Sequence, residues 1–145
     1  MVKGITIRKL SRGKWGGVYN PSRKEMDKQV LTLFKKSRKE LPGLTFEYVT
    51  ENNIKTGNGF HTHILSRNVT DITRLKSVLT RFIGGYTTVW SPLLRFTQYE
   101  DGGFRNFENV EEISGAYGTV TLLDIIFPTQ YSRYMNKYGQ SRQLV

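Results

Sequence analysis

The sequence predicts one α+β domain, residues 1–145, with a central, mostly antiparallel sheet of five strands flanked by helices. Strand-like runs alternate with stretches in which apolar residues recur every three or four positions, in the order βα-ββ-α-ββ-α. The length is that of one ordinary domain, and contents of 37% hydrophobic and 12% aromatic residues are typical of a folded globular chain. The chain has no cysteine, which excludes disulfide bonds and thiolate metal ligands.

The first strand is predicted over residues 2–10, where apolar and polar side chains alternate. Residues 12–17 then form a basic loop broken by glycines. Pro21 and Ser22 begin a helix that runs to about Glu40, with apolar side chains at helical spacing: Met26, Val30, Leu33 and Phe34. The other faces of this helix are strongly basic, and a Pro-Gly pair ends it.

A β-hairpin is predicted next, with strands over residues 44–52 and 60–66 joined by turn-forming residues 55–59. Thr70 or Asp71 caps a second helix, which ends at a glycine pair and has one apolar stripe: Ile72, Leu75, Val78, Leu79 and Phe82.

The last third of the chain predicts two more strands and a helix. Residues 86–96 are predicted to form one strand, interrupted by a proline, and the apolar, β-branched run 120–127 predicts a buried one. Residues 107–117 hold the cluster of acidic residues Glu108, Glu111 and Glu112 and are assigned to no element. Pro128 begins a short helix that is predicted to end at Gly139.

The charge of the chain indicates a polyanionic partner. Lys and Arg total 22 against 12 Asp and Glu, so the formal net charge is +10. An anionic membrane would require a basic amphipathic helix with exposed apolar bulk, and the apolar stripes here have the size that a core needs. We therefore expect nucleic acid and no membrane as the partner. No apolar run is long enough to span a bilayer and no signal segment is seen, so we expect a protein that is not secreted.

Two histidines in the predicted hairpin suggest a metal site. His61 and His63 project from the same face of one strand because side chains alternate along it. If the turn centres near residue 56, odd-numbered residues of the two strands face each other, and Glu51 lies opposite His61 with Glu47 further along. A solvated charge at a strand end is the competing interpretation of Glu51. Two imidazoles and a carboxylate suit Mg²⁺ or Mn²⁺.

The last helix carries several tyrosines and a lysine. Tyr134 and Tyr138 are four residues apart, with Tyr131 one turn earlier and Lys137 between them. An aromatic packing stripe would have the same spacing, but the residues around it are polar. A phenol with an ordinary pKa of about 10 needs a nearby cation or a metal-held phosphate to become a nucleophile, and Lys137 can supply part of that help.

Together, the two motifs resemble the HUH endonucleases, named for His-hydrophobe-His, and among them the initiators (Rep proteins) of rolling-circle replication. Residues 60–64, Phe-His-Thr-His-Ile, match the histidine motif, and residues 134–138, Tyr-Met-Asn-Lys-Tyr, match the initiators' tyrosine motif. The resemblance covers most of the chain and implies a five-stranded antiparallel sheet with helices, similar to that of RNA-recognition (RRM) domains. The central position of the histidine motif, Thr62, departs from the family's large hydrophobe.

The resemblance also implies a mechanism. A divalent cation on His61, His63 and an acidic residue polarises the scissile phosphate of single-stranded or hairpin origin DNA. Tyr134, assisted by Lys137, attacks and leaves a 5′-phosphotyrosine link and a free 3′-OH; Tyr138 resembles the second tyrosine that catalyses the closing transfer. The basic side chains expected to bind DNA are Arg12, Lys14, Lys55 and Arg133. A host polymerase and helicase are then the expected partners, since the chain has no P-loop motif. The expected location is the cytoplasm of a host cell, or the nucleus for a virus of eukaryotes.

Two other functions remain open. A single-tyrosine HUH transposase is of similar length, but that group has a glutamine four residues after its tyrosine, where this chain has Tyr138. A non-catalytic module could bind single strands on an RRM-like sheet by stacking bases on aromatic side chains such as Tyr48, Phe60 and Trp90. Such a module needs no histidine pair, so dependence on a metal separates it from an enzyme.

Overall fold

A computed structural model describes residues 1–9, 11–12, 18–52, 59–86, 89–93 and 106–145. Within these ranges the chain forms nine strands and three helices. In chain order they are β1 (Lys3–Lys9), β2 (Ser11–Arg12), β3 (Val18–Tyr19), α1 (Arg23–Glu40), β4 (Thr45–Asn52), β5 (Phe60–Arg67), α2 (Ile72–Phe82), β6 (Ser91–Pro92), β7 (Phe107–Gly115), β8 (Gly118–Ile125), α3 (Pro128–Met135) and β9 (Arg142–Leu144).

Seven of the strands form one sheet in the order β6-β7-β8-β1-β5-β4-β9, and every neighbouring pair is antiparallel. The α+β class and the antiparallel sheet are therefore confirmed. Five long strands make up the centre, and the two short strands β6 and β9 extend its edges, which is why the sheet has seven strands where five were expected. Strands β2 and β3 pair separately as a small ribbon.

One predicted strand is confirmed only as a short piece, and a different segment forms the fifth long strand. Of the described residues in 86–96, Ser91 and Pro92 pair with β7 and Tyr86 is 99% exposed; residues 87–88 and 94–96 lie outside the described part. The fifth long strand is instead β7, in the segment with the glutamates. A register shift between Glu108 and Glu111 interrupts the alternation of its side chains, so β7 lacks the period of two by which a strand is recognised.

The two faces of the sheet are covered by different helices. The larger core contains side chains of α1, α2 and one sheet face, among them Ile5, Ile64 and Leu122, all at most 3% exposed. Helix α1 begins with a capping box in which the Ser22 hydroxyl and the Glu25 carboxylate each accept a backbone N–H. Helix α3 lies on the other face, where a small core joins it to the sheet.

Helix α3 ends earlier than the sequence predicts. Its last helical residue is Met135, and a turn follows in which the Gly139 N–H donates to the Asn136 carbonyl. The Asn136 side chain in turn accepts the N–H of Ser141 and so directs the chain toward β9. Tyr138 therefore lies in the turn after the helix. None of the helices in the described ranges is long and apolar enough to cross a membrane.

Candidate metal and tyrosine site

The hairpin of β4 and β5 places three side chains together at one end of the sheet. Glu51 pairs directly with His61, and His63 pairs with Val49, so the predicted register is confirmed. Because side chains alternate along a strand, Glu51, His61 and His63 point to the face on which α3 lies. We call these three residues the triad.

The ligand atoms of the triad converge. The Nε2 atoms of His61 and His63 lie 3.5 and 3.6 Å from the same oxygen of Glu51, Oε2. The two imidazole rings are arranged edge to face, with their centres 4.8 Å apart. Atoms bound to one small divalent ion are each about 2.0–2.1 Å from it, so they lie roughly 3–3.5 Å apart. With small adjustments, the triad has the donor set and the spacing of a metal site.

Burial keeps both imidazoles neutral near pH 7, the form in which they bind a metal. Burial and then the adjacent His61 lower the pKa of His63 to about 4, from an ordinary value of 6.5. Burial and then the Arg8 guanidinium also lower the pKa of His61. The Thr6 hydroxyl lies 3.2 Å from His63 Nδ1. It can accept a hydrogen bond from an Nδ1–H group, the tautomer that leaves Nε2 free to bind a metal.

Lys137 connects the triad to the tyrosines. Its Nζ donates to Glu51 Oε1 at 2.7 Å, while Oε2 of the same carboxylate faces the histidines. The ammonium group also lies 4.1 Å from the ring centre of Tyr134 and 5.4 Å from that of Tyr138. The sequence did not predict the ion pair with Glu51. This pair orients the carboxylate and holds a positive charge beside both phenols.

The pKa values of the ion pair reflect a balance of opposing effects. Burial alone would raise the pKa of Glu51, but the hydrogen bond from Lys137 and the nearby histidines lower it overall. Burial alone would lower the pKa of Lys137, but the Glu51 carboxylate raises it overall. Glu51 is therefore ionised and Lys137 protonated at neutral pH, so the site has a carboxylate that can bind a metal ion and an ammonium group beside it.

Helix α3 is held over the sheet by packing and by hydrogen bonds. Met135 is 1% exposed and packs against Val49 and Leu65. The Ser132 hydroxyl contacts both oxygens of Glu47, at 2.7 and 2.8 Å, and the carboxylate itself is buried. These contacts bring the turn after α3 next to the triad.

The remaining predicted residues are the two tyrosines and the basic side chains that are expected to bind DNA. Tyr134 and Tyr138 are 58% and 73% exposed, so both hydroxyl-bearing side chains are accessible to a large substrate. Arg133 is exposed in the last turn of α3, and no described contact joins it to the triad. Lys14, Lys55 and the side chain of Arg12 lie outside the described residues, so their role in DNA binding stays a prediction.

Sequence reasoning missed the contribution of the first strand. Thr6 and Arg8 point to the triad face because Ile5 and Ile7 point to the larger core, and β1 pairs with β5 so that Thr6 lies opposite His63. The alternation in β1 indicated that Thr6 and Arg8 share a face. No local pattern in the sequence indicates that β1 pairs with β5, the strand that carries the histidines.

Comparisons of the chain with protein-family models, with curated proteins and with solved structures give no match. The interpretation of the site therefore depends on the chemistry of its own residues.

Proposed function

We propose that this protein is a metal-dependent endonuclease that cuts and rejoins single-stranded DNA through a tyrosine, of the kind that initiates rolling-circle replication of a viral or plasmid genome. The observation that carries the proposal is the position of Lys137, between the triad and two accessible tyrosines. A metal site alone would fit many proteins. A metal site joined by a lysine to a tyrosine fits the transfer of a phosphodiester to a phenol.

Glu51, His61 and His63 would hold the cation, which we propose is Mn²⁺ or Mg²⁺. When bound, such an ion supplies a Lewis acid that draws electron density from a phosphate oxygen. The mixed set of imidazole and carboxylate ligands is compatible with Mn²⁺, which accepts both ligand types. Thr6 keeps the ring of His63 in place, and Lys137 does the same for the Glu51 carboxylate.

Tyr134 is the proposed nucleophile of the cleavage step. Its phenol oxygen forms a bond to phosphorus as the bond from phosphorus to the 3′ oxygen breaks. The phenol proton passes to solvent, and the departing oxygen takes up a proton to become a 3′-OH, so the 5′ phosphate remains on the tyrosine. The Lys137 ammonium, 4.1 Å from the ring centre, stabilises the phenolate that forms during the attack.

Rejoining reverses this chemistry with a second 3′-OH as the attacking group. Tyr138 also lies beside Lys137 and is exposed, so it is the proposed second tyrosine that accepts the strand in the closing transfer. The free 3′-OH left by the first step is a primer for a host polymerase, and a host helicase would separate the strands. The proposed location is the cytoplasm of a host cell, or the nucleus if the genome is that of a eukaryotic virus.

The net charge of +10 supports DNA as the substrate, because a basic protein attracts phosphates over a long range. Two features argue against a non-catalytic binder. Tyr48 and Trp90 are 6% and 9% exposed, and Phe60 packs against the larger core, so these rings do not form an open stacking surface. Such a binder would also have no use for the triad.

The test is incubation with labelled single-stranded oligonucleotides that include origin DNA, with Mn²⁺ or with EDTA, followed by a denaturing gel. We expect a protein band linked to DNA that requires metal and disappears in Tyr134→Phe. Tyr86→Phe is the matched control, since Tyr86 is 99% exposed and follows α2, which packs on the other face of the sheet from the triad. If native origin DNA stays intact with Mn²⁺, the proposed function is refuted.

A further inference from the structure

A cavity of about 360 Å³ lies on the opposite side of β4 from the triad. Its walls are formed by the first turns of α1 and by residues 139–142, which follow the turn that contains Tyr138. Its volume is within the range of about 300–1,000 Å³ typical of sites for small molecules. None of the residues assigned above to metal binding or to nucleophilic attack lines it.

The charged groups of the cavity favour an anion with a planar part. Arg23 and Arg142 line it together with a single carboxylate, Asp27, which already accepts the hydroxyl of Thr50 at 2.7 Å. A guanidinium binds phosphate through two parallel hydrogen bonds and can also stack on a flat ring. The two arginines therefore supply both kinds of contact that a nucleotide offers.

Each arginine lies beside an aromatic residue. Arg23 Nη1 donates to Gln140 Oε1 at 3.2 Å, and its guanidinium lies 5.4 Å from the ring centre of Phe60. Arg142 lies opposite Tyr48 in the pairing of β9 with β4. Both arginine side chains are exposed, so a ligand can reach them.

Residues of the cavity and of the triad are neighbours in the sequence. Thr50 lines the cavity, and Glu51, the next residue of β4, points to the opposite face as part of the triad. On the other wall, the segment that contains Gln140 directly follows the turn with Lys137 and Tyr138. The cavity and the triad therefore lie on the two faces of β4 at the same end of this strand.

We infer that this cavity binds one nucleotide of the DNA strand near the scissile phosphate, with Arg142 on a phosphate and Arg23 against the base. This inference rests on the proposed function, and it assigns to Arg23 and Arg142 the role of setting which phosphate reaches the triad. It makes the cavity a site of sequence selection, separate from the metal and the tyrosines.

The experiment is done in EDTA, so it does not depend on cleavage. Tetranucleotides of each single base and a pool of random sequence are titrated into the protein, and binding is followed by NMR and calorimetry. We expect shifts of the backbone amides of Thr50, Gln140 and Arg142. We also expect affinity about tenfold lower or more in Arg23→Ala and Arg142→Ala, because each loses a charge-assisted contact.

Lys24→Ala is the matched control, because Lys24 is exposed on α1 beside Arg23 and does not line the cavity. It removes the same charge and should change affinity by no more than about threefold. Arg23→Lys keeps the charge but loses the planar group, so it should bind more weakly than the parent. Mn²⁺ affinity equal to that of the parent verifies that each variant is folded around the triad.

Three outcomes would overturn the inference. The first is that no oligonucleotide shifts the amides at the cavity, and the second is that Lys24→Ala and Arg23→Ala lose the same amount of oligonucleotide affinity. The third is that single 5′-mononucleotides bind as tightly as tetranucleotides, which would indicate a free nucleotide as the ligand. Cavity binding in a protein that forms no metal-dependent adduct would refute the proposed function alone. Adduct formation without cavity binding would refute this inference alone.

Discussion

Glu51→Gln should weaken Mn²⁺ binding by about 30-fold or more and leave the protein folded. Glutamine keeps the size of the side chain and an oxygen that can accept the Lys137 hydrogen bond, but it removes the negative charge. The change therefore isolates the electrostatic part of metal binding at the triad. It also leaves the Lys137 ammonium without its counter-charge beside the cation site.

The magnitude follows from the charges in the site. Two unit charges 4 Å apart interact by about 1 kcal/mol in water and by about 4 kcal/mol at an effective dielectric constant of 20. A divalent ion doubles these values to about 2–8 kcal/mol. Because each 1.4 kcal/mol is tenfold in affinity, the lower value corresponds to a loss of Mn²⁺ affinity of about 30-fold. The Glu51 side chain is only 20% exposed, so the true loss should exceed the lower limit.

The effect on folding should be small. The ion pair between Glu51 and Lys137 is partly exposed, with the lysine side chain 30% accessible, and such pairs contribute about 1 kcal/mol or less to stability. A urea unfolding curve of the metal-free protein tests this. A loss of several kcal/mol would mean that Glu51 holds the fold as well as the metal.

The assay is calorimetric titration of EDTA-stripped protein with Mn²⁺. Glu111→Gln is the matched control, because Glu111 is also a strand residue in an ion pair, with Lys76 at 2.5 Å, and lies away from the triad. We expect its Mn²⁺ affinity to stay within about twofold of the parent. Parent-like binding by Glu51→Gln, together with loss of binding in His61→Ala and His63→Ala, would refute Glu51 as the third ligand.

Four further predictions concern the surroundings of the triad. Thr6→Val should lower Mn²⁺ affinity about tenfold, because His63 loses its orienting partner; an unchanged titration would remove Thr6 from the site. The metal-free protein should become more stable as pH rises from about 4 to 6.5, since the unfolded chain binds a proton at His63 more readily than the folded one does; urea curves should show a smaller pH slope in His63→Gln. Met135→Ala should cost about 2–4 kcal/mol of unfolding free energy, because it leaves a cavity against Val49 and Leu65. Tyr138→Phe should still form the DNA adduct with Mn²⁺ but release less rejoined strand, and loss of the adduct would instead make Tyr138 the first nucleophile.

The first two helices and the histidine hairpin were predictable because their signals are local. Apolar side chains at helical spacing predicted α1 and α2 closely, and the structure has Ser22 and Asp71 as their N-caps. Strand β7 was missed because a bulge breaks its alternation, and because its glutamates bind partners that only the folded chain supplies, Lys76 for Glu111 and Thr121 for Glu112. A strand near the edge of a sheet can carry acidic residues that a central strand would exclude.

The triad could be predicted from local sequence, since a turn centred near residue 56 and the two-residue period of strands place Glu51 opposite His61, as the structure has it. Tertiary structure decided what surrounds it. The pairing of β1 with β5 brings Thr6 and Arg8 to the site, and the docking of α3 brings Lys137 to Glu51. Strand order and helix docking depend on how side chains distant in sequence fill a common core, so no local pattern contains them.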